Sequence, residues 1–410
     1  MKKIEQKDLF ELKNVAQPVV AGGDIFFTET KMNEKKNTYE TAVYKYTNEG
    51  KVAYGDDGTV NSSLQVSPDG KWISFVSNEG EDKIPQLKIQ SVTGGKAIAL
   101  TKEKKGVSVY VWGKDSQSIY YQTTKADEEE KKEEFPQPII VEKTTYRFDG
   151  GSFLPNKETT QIKQVEVATK EVKTLFETEE SIFFRDVLHD GGSLVVDRDL
   201  SNIRWTLDSA EACYVDVATG DIHPILEAGS DESYRYMLDS KEGVILAYNS
   251  GEHGFVTQVD IVFNKEGQPG TEGSILNLTS GLDVEWGDWL VADFQQSVTG
   301  VEPQWMDEES FLVSASVKGK IVLYRLFLDG RNEVLFDKEV HITGAKIISE
   351  KELVITYSTT TLPSALAKLD LTTGEITNLY NPNEAYLAEH IVTTPERFTY
   401  KGYDNWEIHG

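Results

Sequence analysis

The chain has 410 residues, enough to bury a large apolar core, and by length alone two or three domains would be possible. It carries 68 acidic and 42 basic residues, a net charge of −26. This excess of negative charge excludes a surface that tracks nucleic-acid phosphates or anionic lipid, so we expect neither nucleic acid nor a membrane as a partner.

The residue types that build metal and redox sites are scarce. A single cysteine, Cys213, excludes an internal disulfide and a zinc site made of cysteines. It lies in an alternating apolar run, where a small buried side chain is expected rather than a nucleophile. The six histidines are scattered singly, so no metal and no cofactor are predicted. The charged N terminus lacks the apolar core of a signal peptide, and a reducing cytoplasm fits these features.

The chain begins with a short extension, residues 1–14, in which Met1 to Leu12 favour a helix. After it, one pattern recurs: a loop, an apolar strand, a connection, an alternating strand, a turn and a short closing strand. The apolar strand is the clearest marker of this unit. It appears seven times, at residues 24–27, 71–76, 117–121, 192–196, 243–247, 310–313 and 352–355. Repeats of about 40–50 residues that each hold about four strands are typical of propeller blades.

The turns of the repeated unit agree with this interpretation. Ser67–Pro68–Asp69–Gly70–Lys71 precedes the second marker strand, and its proline, aspartate and glycine each favour a tight turn. The alternating strand of each unit predicts one face more buried than the other. We therefore predict an all-β fold, a seven-bladed β-propeller of four-stranded antiparallel blades over residues 1–394.

Two intervals between marker strands are longer than the others and contain insertions. The first holds the charge run Lys125 to Glu134, which is typical of a solvated loop and could also gate an entrance. The second holds Gly281 to Leu290 with Trp286 and Trp289. Two tryptophans in such a loop more often fill a core or an interface than bind a ligand.

The chain lacks the usual signature of a serine hydrolase. A nucleophile elbow needs glycine two residues before and two residues after the serine, and no serine here has both. Ser152 and Ser193 have only the preceding glycine. The Asp-box turn of sialidases does not fit Asp69–Gly70 either. A propeller glycosidase, with carboxylates that converge at the axis, stays open as an alternative. We predict no catalytic residue in this chain.

The strand that precedes each marker strand should be the innermost strand of its blade. This places Arg185 and Arg235 near a central channel, where they could bind a substrate carboxylate or carbonyl; a salt bridge between blades is the competing interpretation. The acid pairs Glu179–Glu180 and Glu308–Glu309 could hold a peptide amino terminus, but in so acidic a chain solvated side chains are expected.

The last residues, Thr394 to Gly410, alternate apolar with polar side chains, break at a turn and begin to alternate again. This pattern predicts two strands joined by a tight turn. We expect the second strand, from Tyr403, to end before it can pair. An unpaired strand is a liability that proteins normally cover.

Several of these segments together resemble the prolyl oligopeptidase family of serine peptidases, in particular its acylaminoacyl-peptidase-like branch. The resemblance extends over essentially the whole chain. It depends on four segments: Asp8 to Leu12, Ser67 to Phe75, Tyr146 to Gly151, and Pro395 to Gly410. Asn405 follows Asp404 where the family usually has Asp-Gly, and the turn is still expected.

The resemblance implies a role for the chain. In that family a seven-bladed propeller caps an α/β-hydrolase domain, and residues 395–410 would be the linker and first strand of such a domain. The family's nucleophile, acid and histidine would lie beyond residue 410. The propeller would then cover the catalytic cleft, admit short peptides and exclude folded proteins by size. A stand-alone propeller that binds a protein or a peptide is the second hypothesis.

Overall fold

A computed structural model of the protein describes residues 1–54, 60–126, 138, 140–143, 145–147, 153–154, 158–188, 191–206, 209–265, 275–290 and 298–410. The chain divides into two compact units. The first contains residues 1–65, 283–327 and 331–410, and the second contains residues 66–282 and 328–330.

The strands form seven antiparallel sheets in chain order, which are the blades of a seven-bladed β-propeller. The first three blades are β1 Lys13–Ala21, β2 Asp24–Asn33, β3 Thr38–Thr47 and β4 Gly50–Tyr54; β5 Asn61–Val66, β6 Trp72–Ser77, β7 Gln86–Ser91 and β8 Ile98–Ala99; and β9 Val109–Trp112, β10 Ser118–Thr124, β11 Thr160–Glu166 and β12 Val172–Thr178. In each of them the sequence neighbours are also the spatial neighbours.

The remaining blades follow the same order. They are β13 Ile182–Val187, β14 Ser193–Asp199, β15 Ala210–Asp216 and β16 Ile222–Pro224; β17 Ser233–Ser240, β18 Gly243–Asn249, β19 Asp260–Lys265 and β20 Ile275–Asn277; β21 Glu285–Trp286, β22 Gln304–Trp305, β23 Ser310–Val317, β24 Lys320–Phe327 and β25 Asn332–Phe336; and β26 His341–Ser349, β27 Glu352–Thr359, β28 Leu362–Asp370 and β29 Glu375–Tyr380. All seven predicted marker strands are the second strands of their blades, which confirms the repeat.

The blades are mainly four-stranded, as predicted, and blade 6 has five strand segments. Its first strand is split into two pieces, because β21 pairs with one end of β23 and β22 with the other. Trp286 lies in β21 and Trp289 lies between the two pieces, so the predicted loop is wrong for Trp286. The long fifth interval in the sequence therefore includes the split first strand of blade 6.

The marker strand β14, in the second unit, is apolar at successive positions because neighbouring blades cover both of its faces. In β14, Leu194 and Val196 pack with side chains of blade 3, such as Tyr120 and Ile162. Val195 points the other way and packs with blade 5. All three β14 side chains are fully buried. Burial of one large apolar side chain in this way stabilises the folded state by roughly 1.5–3 kcal/mol.

In the first unit, blade 1 packs against blade 7 through Val15, Phe27, Val354 and Leu366. Each of these blades is built wholly from consecutive strands, so the chain ends meet without sharing a sheet. Short helices at the two ends complete the contact: a 3₁₀ helix, Gln6–Phe10, and an α-helix, Glu384–Glu389. The predicted N-terminal helix is thus present in shorter form. A further helix, α1 Ser201–Arg204, follows β14.

The chain ends in a hairpin, β30 Thr399–Lys401 and β31 Glu407–His409. The expectation that the second strand stays unpaired is wrong, since Tyr400 lies opposite Ile408 and the backbones of Phe398 and Gly410 exchange two hydrogen bonds of 2.9 and 3.0 Å. Arg397 attaches this hairpin to the first unit through Glu339, at 2.8 Å.

Candidate functional site

Arg185 occupies an irregular position on β13, the first strand of blade 4. The pairing with β14 jumps from Phe184 to Asp186, so Arg185 is the extra residue of a β-bulge. Bulges leave one residue out of the ladder and redirect its side chain. The guanidinium lies over the ring of Phe183, 4.4 Å from its centroid. About one third of the Arg185 side chain is exposed to solvent.

Asp197 of β14 holds Arg185 in this position. Its Oδ2 accepts a hydrogen bond from Arg185 Nε at 2.6 Å, and its Oδ1 accepts one from the backbone N–H of Tyr236 at 2.9 Å. Only 2 % of Asp197 is exposed. Burial raises the pKa of its carboxyl, while the positive charges of Arg185 and Arg235 oppose that shift. One carboxylate thus joins blade 4 to the first strand of blade 5.

The contact between Asp197 and Tyr236 has a counterpart one blade earlier. Gln122, which directly follows the marker segment of blade 3, accepts a hydrogen bond from the backbone N–H of Phe184 at 2.7 Å. Asp197 directly follows the marker segment of blade 4. A neutral side chain is therefore sufficient to join two blades at this place, and the negative charge of Asp197 additionally serves Arg185.

A second carboxylate lies beside the first. Asp186 Oδ2 accepts a hydrogen bond from the hydroxyl of Tyr236 at 2.8 Å, and its Oδ1 accepts one from the backbone N–H of Val187. Burial, with Asp186 as the next cause, raises the pKa of the Tyr236 hydroxyl, which stays protonated and donates. Both carboxylate oxygens of Asp186 therefore already accept hydrogen bonds from neighbouring residues. We name Phe183, Arg185, Asp186, Asp197 and Tyr236 the bulge cluster.

The structure brings the two predicted arginines to the same carboxylate. Arg185 forms its ion pair within its own blade rather than between blades, and Arg235 acts on Asp197 through its charge. The acid pairs Glu179–Glu180 and Glu308–Glu309 are exposed, as expected for solvated side chains. Sequence reasoning missed Asp197 and Tyr236. The only signal in the sequence was an acidic residue at the end of an otherwise apolar strand.

Two other candidate groups that the structure describes, Cys213 and Ser193, lie in the core and in a sheet. Burial raises the pKa of the Cys213 thiol to about 12, so it is a core residue as predicted. Ser193 begins β14 in a sheet rather than in a strand-to-helix turn. Among the described residues, no three His, Cys, Asp or Glu side chains are grouped to hold a metal ion. No helix in the described ranges is both long and apolar enough to cross a bilayer.

Both insertions were predicted to lie in loops. Trp286 is buried and packs edge-on against Tyr324 at 5.3 Å, whereas Trp289 is 65 % exposed and donates from Nε1 to the carbonyl of Trp286. The predicted filling of a core holds for the first tryptophan. Residues 127–134 of the charge run, Gly150, Gly151, Ser152 and His189 lie outside the described residues.

The terminal hairpin presents large apolar side chains to solvent. Phe398 is 59 % exposed and Trp406 74 %, and Tyr403 is fully exposed. Every residue of β30 and β31 is exposed as well. Clustered exposed aromatic side chains commonly mark a surface that another domain or protein covers.

Comparison with known proteins agrees with this architecture. No family model matches the chain. An uncharacterized peptidase of Bacillus subtilis (strain 168), YuxL, is 23 % identical over 424 aligned residues, which cover 100 % of this chain and 63 % of YuxL. The chain thus spans less than two thirds of the length of this curated relative.

Among solved structures, a whole peptidase is covered in part and an isolated propeller domain almost completely. An acylaminoacyl peptidase in complex with Z-Gly-Gly-Phe-chloromethyl ketone superposes with a TM-score of 0.74 at 19 % identity, over 100 % of this chain and 59 % of that one. The β-propeller domain of the trilobed protease from Pyrococcus furiosus, described as having an open velcro topology, gives 0.61 at 16 % identity, over 91 % and 99 % of the two chains. The chain therefore has the fold of the propeller portion of acylaminoacyl peptidase and prolyl oligopeptidase chains, and it covers only that portion of them.

Proposed function

We propose that this chain is the non-catalytic propeller of a serine peptidase of the acylaminoacyl-peptidase type. In this proposal it covers the cleft of an α/β-hydrolase domain, admits short peptides and excludes folded proteins by size. The observation that carries the proposal is the match of all of this chain to 59 % of an acylaminoacyl peptidase. The part of that enzyme that remains is long enough for a further domain.

The terminal hairpin supports the same proposal. It follows blade 7 and the helix Glu384–Glu389, and its exposed aromatic side chains would be covered by a domain attached there. In this arrangement residues 395–410 are the linker and the first strand of the hydrolase domain. That domain would supply nucleophile, histidine and acid, and the propeller would supply access and part of the peptide-binding surface.

The proposal is tested with the 410-residue chain itself by isothermal titration calorimetry. The ligand is the uncharged peptide N-acetyl-tetra-alanine amide, and the comparison is a folded protein that displays the same four alanines in a surface loop. We expect saturable binding of the free peptide and none of the folded protein. Absence of peptide binding would contradict the proposal, and equal binding of both ligands would favour a protein-binding scaffold.

A further inference from the structure

We infer that Arg185 forms a subsite for the C-terminal carboxylate of a bound peptide, with Phe183 as the apolar surface beside it. This inference depends on the proposed function, because it specifies which chemical group of the peptide the propeller recognises. In a propeller the first strand of a blade lies nearest the central channel, and β13 is such a strand.

The hydrogen bonding of Arg185 leaves its carboxylate-binding end available. The pair with Asp197 uses Nε alone. Among the described residues, neither terminal nitrogen of Arg185 donates a hydrogen bond, and the guanidinium also lies over the ring of Phe183. A purely structural arginine–carboxylate pair is commonly bidentate. Here the second oxygen of Asp197 accepts from the Tyr236 backbone instead.

The guanidinium is also held in place before any ligand arrives. Asp197 fixes it at Nε, and the Phe183 ring supports its face. A fixed arginine loses little side-chain entropy on binding, and its two terminal nitrogens match the two oxygens of a carboxylate. The bulge keeps Arg185 out of the strand ladder, so that a ligand would not have to displace a backbone contact.

The charges around the site decide which ligand fits. Asp197 accepts hydrogen bonds from Arg185 and from the Tyr236 backbone. Asp186 accepts hydrogen bonds from the Tyr236 hydroxyl and from the Val187 backbone. Arg235 adds a second positive charge that acts on Asp197. The two arginines balance the charges of the two carboxylates, and the terminal nitrogens of Arg185, which donate to no described residue, can donate to an anionic group. The exposed part of Phe183, 44 % of the residue, favours an apolar side chain next to that group.

The test compares N-acetyl-tetra-alanine with a free carboxylate and the amide of the same peptide, by calorimetry at pH 7 and 0.15 M salt. The carboxylate is ionised at this pH. We expect the free carboxylate to bind about tenfold more tightly, which is the size of one hydrogen-bonded charge pair at a partly exposed site. Arg185→Gln should abolish this preference and leave the binding of the amide nearly unchanged.

Arg331→Gln is the matched control. Arg331 also lies over an aromatic ring, that of Phe327 at 4.3 Å, and its loss changes the net charge of the chain by the same amount. It should keep the tenfold preference. If Arg185→Gln does not fold, Arg185→Lys takes its place, because it retains a charge beside Asp197 and lacks the planar fork. We expect that variant to lose most of the preference.

The outcomes separate this inference from the function on which it rests. Equal affinity of the unaltered chain for the acid and the amide would overturn the carboxylate subsite and leave peptide binding intact. A preference that persists in both Arg185 variants would place the subsite elsewhere and overturn the assignment to Arg185. Absence of binding of either peptide would contradict the proposed function and the subsite together.

Discussion

Asp69 forms the turn between β5 and β6. Its Oδ1 accepts hydrogen bonds from the Ser67 hydroxyl at 2.7 Å and from the Lys71 backbone at 3.1 Å. The Ser67 bond is the largest of the causes that lower the pKa of the Asp69 carboxyl from 3.8 to about 2. Because the folded state favours the charged form, its stabilising effect is present above pH 4 and is lost as the pH falls towards 2.

We therefore expect Asp69→Ala to lower the free energy of unfolding by about 1 kcal/mol at pH 7. The difference in the free energy of unfolding between this variant and the unaltered chain should become smaller between pH 4 and pH 2. Urea unfolding at several pH values measures this difference. Asp82→Asn is the control, since Asp82 is exposed and has no hydrogen bond to another described residue. A difference for Asp69→Ala that does not vary with pH would contradict this explanation.

Asp197 shows how one carboxylate supports two elements. Asp197→Ala removes the acceptor for Arg185 and for the backbone of Tyr236, so we expect the free energy of unfolding to fall by about 3 kcal/mol. Asp197→Asn should cost less, because its amide oxygen can still accept from the Tyr236 backbone. The exposed Asp221→Ala is the control in the same blade. Equal losses for the alanine and asparagine variants would contradict this division.

At the scale of elements, the ends of the chain are joined by side chains and by a short backbone bridge between Lys2 and His390, while each blade keeps its own strands. Asn383 is 1 % exposed, and its amide exchanges hydrogen bonds of 2.9 and 2.8 Å with the backbone of Lys13 at the start of β1. Asn383→Ala leaves these two backbone groups unpaired. We expect a loss of about 2 kcal/mol in the free energy of unfolding.

Hydrogen exchange locates this effect. Amides of β1 and β26 should exchange faster in Asn383→Ala, whereas those of β14, in the second unit, should be unchanged. Asn332→Ala, at an exposed position in β25, is the control. Faster exchange spread evenly over all the blades would show that Asn383 stabilises the molecule generally rather than the junction of blades 1 and 7.

The strands could be predicted because a strand that is buried on both faces is apolar at successive positions, as at Leu194, Val195 and Val196. The bulge at Arg185 could not be predicted, since the register of a strand depends on its partner as well as on its own residues. For the same reason the sequence did not indicate that Arg185 pairs with Asp197 of its own blade, twelve residues away. The split first strand of blade 6 was not predictable either, because it depends on which residues of β23 pair with β21 and which pair with β22.

For the whole molecule, the proposed role requires a catalytic domain that this chain does not contain. No serine in the chain has both glycines of a nucleophile elbow, and the only cysteine is buried with a raised thiol pKa. The chain by itself should therefore react with no serine-directed reagent. The proposed role predicts that a longer product with a hydrolase domain would react.

The most direct measurement is fluorophosphonate labelling of two proteins side by side, this chain and the product of the natural reading frame continued past codon 410. We predict no label on the first. The second should be labelled once, at the serine of a Gly-x-Ser-x-Gly segment, and should hydrolyse aminoacyl and acyl-peptide substrates. A stop codon directly after Gly410, or labelling of the 410-residue chain itself, would contradict the assignment of this propeller to a serine peptidase.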